Sequence, residues 1–107
     1  MKTKTKNETL LVALGGNALI RKGQAGTIEE QFQNLNVSIR QIARLSEKYK
    51  IIITHGNGPQ VGNLLLQQES CNTVPKLPLE ILVAQTQGQI GYMIECEAVE
   101  HFAHVEA

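Results

Sequence analysis

Apolar positions along the chain gather in separate groups, and the spacing inside each group differs. Thr9 to Leu14 is a short continuous apolar run that stops at Gly15 and Gly16. A run of this kind predicts a strand buried on both faces, as in parallel sheets. Arg21 to Gly26 follows as a polar, glycine-containing loop. Thr27, Ile28, Glu29 and Glu30 then match a capping box, with Thr27 as N-cap and Glu30 three residues on. From there Ile28, Phe32, Leu35, Ile39, Ile42 and Leu45 recur at steps of three and four, which is one apolar helical face. The pattern gives out in the polar stretch from Ser46 to Lys50.

Ile51, Ile52, Ile53 and Thr54 form a second strand-like run, which again leads straight into a glycine-rich loop: His55, Gly56, Asn57, Gly58, Pro59. Val61 to Glu69 reads as a short helix opened by Pro59 or Gln60, since proline suits the first helical turn. Cys71 to Pro78 is a polar connection. A third helix is expected from Pro78 through Leu79, Leu82, Val83, Thr86, Ile90, Met93 and Ile94, weakened locally by Gly88 and Gly91.

Strand, helix, strand in this order crosses over right-handed, so both strands lie in one sheet with their C-terminal ends at one edge. Both glycine loops then open on that edge, where open α/β sheets bind ligands. Gly15 and Gly16 supply one set of backbone donors and Gly56 to Gly58 the other, a pairing suited to an anion. Asn17 and Asn57 each add a neutral amide, which donates or accepts but cannot act as a base. His55 is open to two roles, structural hydrogen bonding at a strand end or direct chemistry as base or ligand.

Composition narrows the partners. Ten basic residues balance ten acidic ones, which removes the broad positive footprint of a nucleic-acid or anionic-membrane binder. Cys71 and Cys96 form no CxxC pair, so neither a metal site nor a disulfide framework is expected. His101 and His104 beside Glu100 have a metal-like spacing without a further ligand, and the expectation is a solvated terminal segment. Glu95, Glu97 and Glu100 are read as a wet helix face. Arg21 and Lys22 either meet an anion from their loop or simply sit on the surface. No apolar run approaches the roughly 20 residues needed to cross a bilayer, so a soluble, cytoplasmic protein without membrane partner is expected.

The residues of the two loops resemble the two signature stretches of the carbamate kinases, in the amino acid kinase superfamily. The first is Val12 to Leu19; the second, longer and more specific, runs from Thr54 to Leu65. Pro78, Leu79, Gln85 to Gly88 and Ile90 to Tyr92 form a third similar stretch, and the likeness runs from about Leu10 to about Ile94. The resemblance implies an α/β fold, an αβα sandwich with a parallel sheet, present here as an N-terminal portion. It also implies a homodimer or companion chain, and reversible phosphoryl transfer between carbamoyl phosphate and ADP, giving carbamate and ATP with Mg²⁺. Gly15, Gly16, Asn17, Gly56, Asn57 and Gly58 would then surround the carbamoyl or transferred phosphate, with Asn17 and Asn57 as candidate transition-state stabilisers.

Where other branches of the superfamily often carry a lysine two residues before the glycine pair, this chain has Ala13, as carbamate kinases do. Family members run to roughly three hundred residues, so residues 1–107 are expected to be a partial, carbamoyl phosphate-binding domain without the C-terminal nucleotide-binding domain. Two parallel strands alone are marginal, which points the same way. An isolated piece of this kind is expected to bind an anion but to lack the Lys, Arg and metal that phosphoryl transfer requires. The competing reading is a non-catalytic binding or regulatory module that docks on a full-length homologue.

Overall fold

The structure, a computed structural model, describes residues 8–103. Strand β1 spans Thr9–Leu14 and β2 spans Lys50–His55. They pair in parallel from Thr9 opposite Lys50 to Leu14 opposite His55, so both strands end at the same level. Helix α1, Ile28–Leu45, makes the crossover; α2, Gly58–Glu69, follows β2; and α3, Leu79–His101, follows a long connection. A 3-10 turn at Gly16–Ala18 closes the end of β1.

The capping box forms as the residue spacing requires. The Glu30 amide donates to Thr27 Oγ1 at 3.2 Å, and the Thr27 amide donates to Glu30 Oε1 at 3.0 Å. Glu30 Oε1 also accepts from the Gly26 amide at 2.9 Å, and these backbone donors hold the carboxyl below its ordinary range, the Thr27 amide contributing most. Gly26 itself has φ +91°, and a Cβ there would stand 2.9 Å from Ile20 Cδ1, so the turn into α1 requires glycine.

One face of the sheet carries the core. Leu35, Ile39 and Ile42 of α1 and Ile90, Met93, Ile94 and Ala98 of α3 pack together with Leu14, with Val12, Ile51 and Ile53 partly buried against them. Each fully buried Leu or Ile contributes about 1.5–3 kcal/mol relative to an exposed one, so this cluster is what fixes α1 and α3 on the sheet. The opposite face is bare among the described residues: Leu11 is 63% and Ile52 52% exposed. The expectation of strands buried on both faces is therefore corrected. The apolar run arises because alternate positions face α1 and α3 on one side and an uncovered surface on the other. The described residues supply the sheet and one helical layer of an αβα sandwich.

Helix α3 runs unbroken through Gly88 and Gly91, and packing against α1 outweighs their weak helix propensity. Its end also differs from expectation. The side chains of His101 and Glu97 are only 22% and 13% exposed. Asn36 Nδ2 of α1 lies 3.0 Å from both His101 Nε2 and Glu97 Oε2. Neither residue is part of a wet face, because this end of α3 is drawn onto α1; Glu95 and Glu100 are exposed as expected. His104 lies outside the described residues.

Candidate functional site

The two glycine loops meet. In the first, the amide of Ala18 donates to Gly15 O and that of Ile20 to Gly16 O, winding the chain through Asn17. Leu19, almost fully buried, anchors the far side. Asn34, buried on α1, donates to Leu19 O at 2.8 Å and to Gln24 Oε1 at 2.6 Å, which ties the loop's exit to the helix. In the second, the Gly56 amide donates to Leu14 O at 3.4 Å, carrying the strand ladder into the loop. A Cβ built on Gly16 would lie 3.9 Å from Pro59 Cδ, so the two loops touch.

Gly15, Gly16, Asn17, Gly56 and Gly58 are exposed, and Asn57 is half-buried. Among the described residues the amides of Gly16, Asn17, Gly58 and Gln60 have no hydrogen-bond acceptor. Those of Gly58 and Gln60 open the first turn of α2, where the helix dipole adds partial positive charge. From Gly15 to Leu19 and from Gly56 to Gln60 there is no acidic or basic side chain. The edge therefore offers neutral, backbone-derived donors to an anion, and carboxylate ligands for a cation are missing from it.

Asn17 is solvent-facing in the 3-10 turn. Asn57 is differently placed: its Nδ2 donates to Thr86 Oγ1 at 2.9 Å and to Val83 O at 3.2 Å, both on α3. His55 is half-buried, with Nδ1 3.2 Å from Gly56 O and Nε2 turned toward Gly91 of α3. Arg21 and Lys22 are exposed in a loop shaped by Gly23 and Gly26, both at positive φ.

Four buried polar residues hold these loops; Gln60 and Thr86 fall inside the family-like stretches without standing out there as site residues, and Gln31 and Asn34 lie outside them. Gln60 Nε2 donates to Gln31 Oε1 at 3.2 Å and Gln31 Nε2 to Gly26 O at 2.9 Å, linking α2 to the turn before α1. Thr86 and Asn34 are the others. The available hint is positional: Thr86 steps by four between Leu82 and Ile90, placing a polar group on an apolar helical face.

Glu97, Glu100 and His101 bring ligand atoms within 4.8 Å of one another. They lie eleven to fifteen residues along α3 from Thr86, roughly 16 to 22 Å at the helical rise, and so belong to a different end of the molecule. Among the described residues no helix is long and apolar enough to cross a membrane.

Paired glycine loops at the ends of adjacent parallel strands define an α/β protein whose sheet edge presents neutral backbone donors. The match of residues 8–103 to the model of the amino acid kinase family makes the assignment definite, and the chain belongs to that family. Within it, the chain is similar to carbamate kinases. It is 51% identical over 87 residues to the Escherichia coli K12 enzyme and 49% identical over 88 to that of Haemophilus influenzae, covering 81% and 82% of this chain. It spans 29% and 28% of those relatives' lengths. Two Giardia carbamate kinase structures superpose with TM-scores of 0.82 and 0.81 at 34% and 35% identity, the second bound to AMP-PNP. They cover 88% and 85% of this chain, which in turn covers 33% of each of them.

Proposed function

We propose that residues 1–107 form the carbamoyl phosphate-binding part of a carbamate kinase, which exchanges a phosphoryl group between carbamoyl phosphate and ADP to give carbamate and ATP. The observation that carries this reading is the contact of the two glycine loops at one sheet edge, with unpaired amides from both. Gly15, Gly16, Asn17, Gly56, Asn57 and Gly58 surround the phosphate. Asn17 reaches it with its side chain as a transition-state stabiliser, whereas Asn57 acts through the backbone of its loop. Amide donors fixed in advance stabilise charge as it develops, because they need no reorganisation during the reaction.

The loops do not fit Mg²⁺, which is bound through carboxylate and phosphate oxygens. ADP, ATP and Mg²⁺ are therefore assigned to residues other than these. The protein acts in the cytoplasm. Its homodimer contact, or its contact with a companion chain, uses the apolar positions that α3 leaves uncovered, among them Tyr92 at 60% and Val99 at 64% exposure.

The same uncovered surfaces, together with the bare sheet face, favour a second reading, a non-catalytic module that associates with a full-length homologue. Titration of the 107-residue chain with carbamoyl phosphate, followed by backbone amide shifts, tests the first reading. Shifts confined to Gly15–Asn17 and Gly56–Gln60 are expected, with no ATP formed from carbamoyl phosphate and ADP. Absence of binding would sink the substrate assignment. ATP formation abolished by changing Asn17 would overturn the claim that this chain is inactive alone. A shift in molecular size only when a full-length carbamate kinase is added would favour the module.

A further inference from the structure

Asn57 is the N-cap residue of α2, yet its side chain makes no capping bond. An N-cap asparagine ordinarily accepts from the amide of the second or third helical residue. Here the second is Pro59, which has no N–H, so the amide of Gln60 is the one donor a capping Asn57 would take. Instead the Asn57 side chain is turned to α3, where both hydrogens of Nδ2 are used, one on Thr86 Oγ1 at 2.9 Å and one on Val83 O at 3.2 Å.

Thr86 is only 2% exposed, and its hydroxyl lies 3.0 Å from Leu82 O and 3.1 Å from Val83 O. Both are acceptors, so the hydroxyl hydrogen points down its own helix and an oxygen lone pair is left for Asn57. The orientation is enforced by the helix backbone and has no rotational alternative that keeps both bonds.

We propose that Thr86 is a positioning residue for the anion site: by holding the Asn57 side chain on α3, it keeps that side chain from capping α2 and leaves the Gln60 amide open to the bound phosphate. The inference rests on the reading of this edge as a phosphate site. It separates two effects that usually travel together. Releasing Asn57 lets it cap α2, so the first turn of the helix gains a bond while the ligand loses a donor.

The test uses the 15N-labelled chain with carbamoyl phosphate, and with inorganic phosphate as a second probe. Thr86→Val is expected to weaken binding about threefold to tenfold, the worth of one hydrogen bond. In the ligand-free Thr86→Val chain the Gln60 amide should exchange more slowly with solvent. Thr86→Ser, which restores the hydroxyl, should bind within about twofold of the unaltered chain, well inside the effect of losing that bond. In an Asn57→Ala background, Thr86→Val should change the affinity no further, since the two residues act as one unit. Equal loss in Thr86→Ser and Thr86→Val, or faster Gln60 exchange in Thr86→Val, would mean that Thr86 merely packs, and the proposal would fall. If the unaltered chain binds neither probe, the substrate assignment fails. The tether is then read alone, from slower exchange of the Asn57 side-chain amide in the unaltered chain than in Thr86→Val; equal rates would overturn it.

Discussion

Gly16 lies against the ring of Pro59, close enough that a Cβ on it would be 3.9 Å from Cδ and 4.0 Å from Cγ. Residues 43 positions apart in the chain thus become the two lips of one edge. A methyl group at Gly16 fits at ordinary contact distance, whereas a branched side chain adds bulk next to the Pro59 ring. Gly16→Val is expected to force the loops apart and weaken phosphate binding about fivefold or more, with Gly16→Ala far milder, as judged from overpacking costs of about 1–3 kcal/mol. Isothermal titration of both variants checks the order.

At Gly26 two penalties coincide, a left-handed backbone and a 2.9 Å approach of Ile20 Cδ1 to any Cβ. Gly26→Ala should destabilise the fold by about 1–3 kcal/mol. Urea unfolding gives the value. Trimming the neighbour with Ile20→Val should recover only part of it, because the backbone strain persists.

The Thr27–Glu30 box predicts an acid dependence. Glu30 has its pKa lowered from an ordinary 4.5, chiefly by the Thr27 amide and then by that of Gly26. A carboxyl whose folded pKa lies below its unfolded one stabilises the fold above the unfolded value. That stability disappears as pH falls through the folded value. Melting temperature should therefore drop on acidification below the ordinary carboxyl range. Glu30→Gln should flatten that part of the profile, and an unchanged slope would contradict the assignment.

Leu35 and Ile39 are completely buried between α1 and α3. Alanine at either should cost about 2–5 kcal/mol in chemical denaturation. Leu11, on the bare face of the sheet, should behave oppositely. Leu11→Ser is expected to leave stability within about 0.5 kcal/mol and to reduce self-association in sedimentation experiments, since it removes apolar surface that nothing covers.

The two thiols should also differ. Cys71 is exposed and its pKa is lowered, first by the hydroxyl of Thr73 and then by the Thr73 backbone, whereas Cys96 is half-buried on α3. Iodoacetamide near neutral pH should modify Cys71 first, read by peptide mass mapping. Thr73→Ala should slow that reaction, because thiolate is the reactive form.

Much of this molecule was legible from the order of residues alone. The strand at Thr9–Leu14 and the α1 cap at Thr27 follow from local rules that act within a few positions. So does the meeting of two glycine loops at one edge, because a crossover helix between parallel strands has a single hand. Other features required the folded chain. Nothing local distinguishes a strand covered on two faces from one whose second face is bare, since either places apolar residues at every position. Nor do nearest neighbours show that Asn57 turns to Thr86, 29 residues away, or that His101 is drawn onto Asn36, 65 residues away. Hydrogen bonds of that reach exist only after the core has set α3 across α1, and it is the packing of Leu35, Ile39, Ile90 and Met93 that decides which polar groups come within bonding distance.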